Sequence, residues 1–217
     1  MTESDYFDTR WAELLPVGRD GGSGGYRRFA WTREDHTLRE WFGGECAALG
    51  LDLTLDRMGN QWAWWGNPDE TPGVVIGSHL DSVPDGGAYD GPLGVVSALA
   101  TVKALQDSGF HPSTPIGVVN FGDEEGARFG VACAGSRVIS GAMTAERALG
   151  LSDAAGVTMA LAILVPLLAV LVQRWWLSAL VALLMLGTAL MLWAVTPDAS
   201  MRAPWLLWVV PAVPAVE

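Results

Sequence analysis

Apolar residues between Asp5 and Leu15 recur at helical spacing, with Phe7, Trp11, Leu14 and Leu15 on one side, and Pro16 ends the run. The stretch 17–31 is Gly-rich and irregular. Thr32 then stands where an N-cap is expected, with Asp35 placed after it in the manner of a capping box. Leu38, Trp41, Phe42, Cys46 and Leu49 line one face of the helix that follows. Leu51 to Asp56 alternates as a strand does, Gly59-Asn60 turns, and Gln61 to Trp65 returns as a second strand. Gly73 to Ser78 and Pro115 to Phe121 are short continuous apolar runs, which predict strands buried on both faces. A helix from about Pro92 to Asp107 lies between them. This strand–helix–strand order predicts a layered α/β/α fold, and no internal repeat interrupts it.

The pattern changes near Gly156. Residues 175–195 carry no charge, and Ser178 and Thr188 are their only polar side chains. A helix of that length spans a bilayer core of ~30 Å. Trp175, Trp176 and Trp193 sit at its ends, where interfacial aromatics gather. The neighbouring apolar runs, 157–172 and 205–216, are shorter and interrupted by Pro166, and by Pro211 and Pro214. The chain therefore divides into residues 1–156 and an apolar tail, 157–217, with a transmembrane helix expected at 175–195. A buried helix of a large soluble core is the alternative for that segment.

Charge sharpens the division. Residues 1–156 hold 11 of the 13 Lys and Arg and 22 of the 24 Asp and Glu, so the net charge of −11 belongs to that part. No basic patch is present, which argues against nucleic acid as a partner. The N-terminus has no basic region followed by an apolar core, so it does not read as a signal peptide, and the acidic part is expected in the cytoplasm. Cys46 and Cys133 are expected to be reduced, buried thiols.

Candidate chemistry concentrates in GSHLDSVPDGGAYDG, residues 77–91, and NFGDEEGARFG, residues 120–130. In each, an apolar strand runs into a cluster of ionisable groups, and ligands in open α/β sheets bind beyond the carboxyl ends of strands. One imidazole among carboxylates suits zinc, with manganese, cobalt or nickel as substitutes. His79 supplies a ring nitrogen, and Asp81 is placed to accept the other ring N–H. Asp90 follows a Gly-rich loop that folds back toward His79, and its two oxygens suit a bridge between two metals. Glu125 is then a ligand of the second metal. Glu124, left unligated beside it, has the placing of a general base. Each motif alone is commonly a turn or a satisfied structural residue. Their joint placement after two buried strands favours a metal site.

At these residues the sequence resembles the zinc-dependent amidohydrolases that include N-carbamoyl-L-amino acid hydrolase, allantoate amidohydrolase and β-ureidopropionase, within the clan of dinuclear aminoacylases and carboxypeptidase-type peptidases. GGYRRFAWTRED, GSHLDSVPDGGAYDGPLGV, DEEGARFG and LSDAAGVT carry the resemblance over roughly residues 20–158. It implies that His79 binds one metal, Asp90 bridges, Glu125 binds the other, Glu124 is the general base and Asp81 supports His79. It also implies two zinc ions and hydrolysis of the C–N bond of a ureido or amide group on a small amino-acid-derived substrate. Residues 1–156 are then part of a catalytic domain.

The departures from the family carry their own expectations. Family members are about twice as long, use two further His ligands, and have a lid and dimerisation domain that this sequence lacks. His36 and His111 lie in no matching motif and are expected to be ordinary surface residues. With the ligand set incomplete, the chain is expected to be truncated or fused, with weak or no turnover. The other reading is a membrane-anchored, non-catalytic remnant or binding module.

Overall fold

The computed structural model describes residues 3–165, together with 168, 172, 176, 183–186 and 188. The chain separates into two compact units, Met1–Ile163 and Leu164–Glu217. Most of the segment 175–195, where a transmembrane helix is expected, lies outside the described residues. Among those residues no helix is long and apolar enough to cross a membrane.

The first unit opens with two helices, α1 (Glu3–Leu14) and α2 (Arg33–Ala48). Four strands follow, β1 (Asp52–Leu55), β2 (Gln61–Trp65), β3 (Val74–His79) and β4 (Ile116–Phe121), with helix α3 (Pro92–Asp107) joining the last two. Short helices α4 (Ala134–Ile139) and α5 (Ala145–Leu149) come after. The strands form one mixed sheet in the order β1-β2-β4-β3. β1 and β2 are an antiparallel hairpin, β2 pairs antiparallel with β4, and β3 runs parallel to β4. The fold is α/β.

Ladder partners share a face of the sheet, so register decides which side chains meet the helices. Ala63, Val118 and Ile76 face the helical layer, where they join Leu38, Phe42 and Cys46 of α2 with Val95, Leu99 and Val102 of α3. Tyr6 and Leu14 of α1 close the same cluster. The opposite face carries Trp62, Trp64 and Phe121, with the two indoles stacked and the phenyl ring edge-on to Trp62. A second cluster, built on Trp31, Met58, Phe129 and Met143, includes Met159 and Ala162. The compact unit therefore runs beyond Gly156.

Three local expectations are corrected. β3 is not buried on both faces: it is an edge strand with a single neighbour, and Val74 and Val75 are 60% and 40% exposed. β4, flanked by β2 and β3, is the buried strand. Thr32 does cap α2, but without a side-chain hydrogen bond, because its hydroxyl donates to the Phe29 carbonyl. Asp35 accepts instead from the main-chain N–H of Trp31 at 2.8 Å, one residue before the cap.

α3 starts with Pro at its first position, where a missing N–H costs nothing, and crosses β3 at close range. A Cβ on Gly94 would stand 2.7 Å from that of Ser78, so glycine is what lets the helix approach the strand. Leu99, fully enclosed beneath the sheet, should lose about 2–5 kcal/mol of stability on truncation to Ala. Val74→Thr on the exposed edge should change stability by no more than about 0.5 kcal/mol. Urea denaturation of both variants checks the contrast.

Candidate metal centre

β3 and β4 are parallel neighbours whose last residues, His79 and Phe121, pair in register. Whatever follows each strand is therefore delivered to one place. After β3 come Leu80 and Asp81, and after β4 the turn Gly122–Glu125. His79 is buried, and its Nδ1 lies 3.1 Å from the main-chain oxygen of Asp81. A carbonyl only accepts, so Nδ1 carries the ring proton and the Nε2 lone pair is free. Nε2 faces Glu124 Oε2 at 3.4 Å and Asp90 Oδ1 at 3.9 Å. One ligand atom from each of His79, Asp90 and Glu125 lies within 4.8 Å of the others. The three expected ligands converge, and Glu124 stands beside them.

Asp81 does more than face the imidazole. Its Oδ1 is 3.5 Å from His79 Nδ1, but both carboxylate oxygens are engaged elsewhere. They accept the main-chain N–H groups of Glu124 and Glu125 at 3.3 and 3.0 Å. His79 Nδ1 lies nearer the Asp81 main-chain carbonyl, at 3.1 Å, than the Asp81 carboxylate, at 3.5 Å, and both face it. Glu124 is held on its other side by Cys133, whose Sγ–H donates to Oε1 at 3.3 Å. Cys133 is therefore half-exposed at the site rather than buried, whereas Cys46 is buried as expected. Asp90, with a side chain 76% exposed, is the open side of the group.

Gly91 explains how Asp90 comes so near. Its φ is +83°, and a Cβ there would lie 2.5 Å from Cε1 and 2.6 Å from Nδ1 of His79. Only a residue without a side chain lets this loop fold over the imidazole.

Burial opposes a charge on His79, yet Asp81 and Glu124 outweigh it and hold the imidazole above its ordinary range. Burial also raises Glu125, against the pull of His79. A divalent cation held by these groups would relieve both, by accepting the Nε2 lone pair and offsetting the carboxylate charge. The donor set fits a divalent ion of the zinc type.

Asp123 is the residue that sequence reasoning missed. It sits in the left-handed region at φ 51°, is 2% exposed, and neither carboxylate oxygen has a hydrogen-bond partner among the described residues. Burial, then Asp81 and Asp35, push its carboxyl up to about 7. Read within Asp-Glu-Glu, it looks like one more solvated acid. Behind it lie Asp35 and Arg39, both buried, with Arg39 donating to the Gly59 carbonyl and stacked on Trp31. Arg128 bonds Asp153 at 3.0 Å and the Ala30 carbonyl at 2.8 Å. His111 is exposed as expected. His36 is not a plain surface residue, because its Nε2 is enclosed without a partner and burial lowers its pKa.

An α/β sheet that gathers an imidazole and several carboxylates at the ends of two parallel strands is an arrangement able to hold a divalent metal ion. Residues 62–164 match the model of peptidase family M28. The chain is similar to amidohydrolases of hydantoinase/carbamoylase type. It is 39% identical over 154 residues to an N-carbamoyl-L-amino acid amidohydrolase of Geobacillus stearothermophilus, covering 69% of this chain and 37% of that one. It is 30% identical over 154 residues to an allantoate amidohydrolase of Bacillus subtilis, covering 70% and 37%. The crystal structure of a hydantoinase/carbamoylase family amidase from Burkholderia ambifaria superposes with a TM-score of 0.70 at 35% identity, over 75% of this chain and 40% of that one. The chain thus spans less than half the length of each.

Two outcomes follow from this geometry. Gly91→Ala should weaken zinc binding by about 10–100-fold, as loss of ligand orientation does. Gly87→Ala, whose Cβ meets nothing within 4 Å, should bind as the parent does; calorimetric titration separates them. The second concerns Asp35, raised from 3.8 to about 6 by burial, with Arg39 opposing. The folded state binds this proton more tightly than the unfolded chain does. The contribution to stability is therefore present below the unfolded value and lost as pH rises through about 6. Going from about pH 4.5 to 7.5, the parent should lose on the order of 2 kcal/mol relative to Asp35→Asn, read by urea denaturation at each pH.

Proposed function

We propose that this chain carries the metal-binding part of an amidohydrolase that cleaves the C–N bond of a ureido or amide group on a small amino-acid-derived substrate, N-carbamoyl amino acids or allantoate being the first to test. The observation that supports it most is the convergence of His79, Asp90 and Glu125 with Glu124 alongside. The names of the relatives supply the substrate class. In this reading His79, Asp90 and Glu125 would hold the divalent ions, zinc being the ion the donor set suits best.

Divalent ions held there supply Lewis-acid polarisation of the substrate carbonyl and of a water molecule. The proton chemistry belongs to Glu124. It takes a proton from the water that attacks the carbonyl carbon. As the C–N bond breaks, it passes that proton to the departing nitrogen, leaving an amine and a carbamic or carboxylic acid. Asp81 orients both partners, fixing the tautomer of His79 through its carbonyl and the turn at Glu124 through its carboxylate. Three side-chain ligands leave most coordination positions of two ions to water, substrate or further protein groups.

The test is release of product from N-carbamoyl amino acids and allantoate by the full chain with added zinc or manganese, together with metal analysis. Glu124→Gln should lower the rate on the order of 100-fold and leave metal content intact. Glu125→Gln should lower metal content. Equal metal loss in the two variants would sink the division of roles, and metal binding without any turnover in the parent favours a non-catalytic binding module.

A further inference from the structure

Asp90 is the exposed member of the metal group, and no hydrogen bond from a protein side chain holds its carboxylate among the described residues. Something else must keep it over His79. On its C-terminal side the chain is fixed, because Gly91 abuts the imidazole and its carbonyl accepts from Gly94 and Val95 in the first turn of α3. On its N-terminal side is Tyr89. The Tyr89 carbonyl accepts from Leu93 at 3.1 Å, and its ring, 65% exposed, stacks on Trp11 with centroids 5.1 Å apart and planes 15° from parallel. Trp11 in turn stacks on Phe7, at 5.9 Å and 9°. Three rings thus run from α1 to the residue beside Asp90.

We propose that Trp11 is a positioning residue for Asp90, acting through the Tyr89 ring to hold the loop in the place where its carboxylate meets His79. The inference rests on the reading of His79, Asp90 and Glu125 as metal ligands. Stacked aromatic pairs contribute energy beyond their buried area, comparable with the freedom that an exposed loop residue gives up when it is ordered. Trp11 precedes residues 20–158, where the family motifs lie, so nothing in those motifs points to it. Its anchor is sound because α1 packs on α3, the helix that begins directly after Gly91.

The experiment is cobalt(II) and zinc titration of the full chain, followed by calorimetry and by the visible absorption of the bound cobalt. Trp11→Ala and Tyr89→Ala should each weaken binding by about tenfold and alter the cobalt spectrum, while Trp11→Phe and Tyr89→Phe, which keep a stacked ring, restore both. Tyr89→Ala removes the stack from its exposed side, so it reads the effect even if Trp11→Ala loosens α1. Melting without metal separates a general loss of stability from a change at the site. If both Ala variants bind as tightly as the parent, with the same spectrum, while His79→Ala loses binding, the positioning role is overturned and the metal site stands. If His79→Ala binds like the parent, the metal reading falls and the role of Trp11 falls with it.

Discussion

Asp81 is the joint on which the site depends. A parallel strand pair ends with its last carbonyl and amide groups pointing into a common gap, and without a partner those groups splay apart in water. Here one buried residue spans the gap. Its carbonyl fixes the ring proton of His79, and its carboxylate collects the amides of Glu124 and Glu125. Charge-assisted bonds to main-chain N–H groups are the stronger kind, and they are made out of solvent. The consequence is that the imidazole and the two glutamates cannot move independently. Remove that carboxylate and the amides of Glu124 and Glu125 lose their bonds to the loop after β3.

A pocket of this sort concentrates negative charge at a cost. Asp35, Asp81 and Asp123 are all buried in one region, and burial pushes Asp35 and Asp123 toward the neutral form. Arg39 and Arg128 offset part of this from behind the site, where they also clamp the chain to the Gly59 and Ala30 carbonyls. The front is left for a cation. The electrostatics thus divide in space, with structural cations on the protein side and an anionic, open side formed by Asp90, Glu124 and Glu125. An uncharged ligand cluster would fold more easily, but would have no reason to hold a divalent ion.

Close approach is the second requirement, and two glycines meet it. Gly94 brings α3 against β3, and Gly91 lets the loop lie across the imidazole. Because the same short stretch starts the helix and carries Asp90, packing of α3 on the sheet also sets the position of a candidate ligand. The aromatic run from α1 to Tyr89 extends this logic, so that two helices outside the site determine where an exposed carboxylate stands.

Much of this was legible in the sequence, because it follows from local periodicity and from residue chemistry. The alternation of Leu51 to Asp56, the turn at Gly59-Asn60 and the apolar face of the helix from Pro92 to Asp107 specify their elements without knowledge of neighbours. His79, Asp90, Glu124 and Glu125 identified themselves as a group through two strand-end clusters. What sequence could not supply was anything set by strand order. Apolar content is the same for an edge strand and a central one, so β3 read as buried until the order β1-β2-β4-β3 left it with one neighbour. Nor does local sequence separate a buried acid from an exposed one. Asp123 and Glu124 are adjacent, yet a left-handed turn sends one inward with no partner and leaves the other facing His79. Asp81 reached the two amides only through contacts between residues far apart in the chain, and Cys133 reached Glu124 only through the fold of the turn between them. The sequence by itself determined which elements form and which chemistry they carry, since both depend on near neighbours. Tertiary structure alone decided which strand is exposed, which acids are buried and which groups hold the ligands, since those depend on partners that local pattern does not encode.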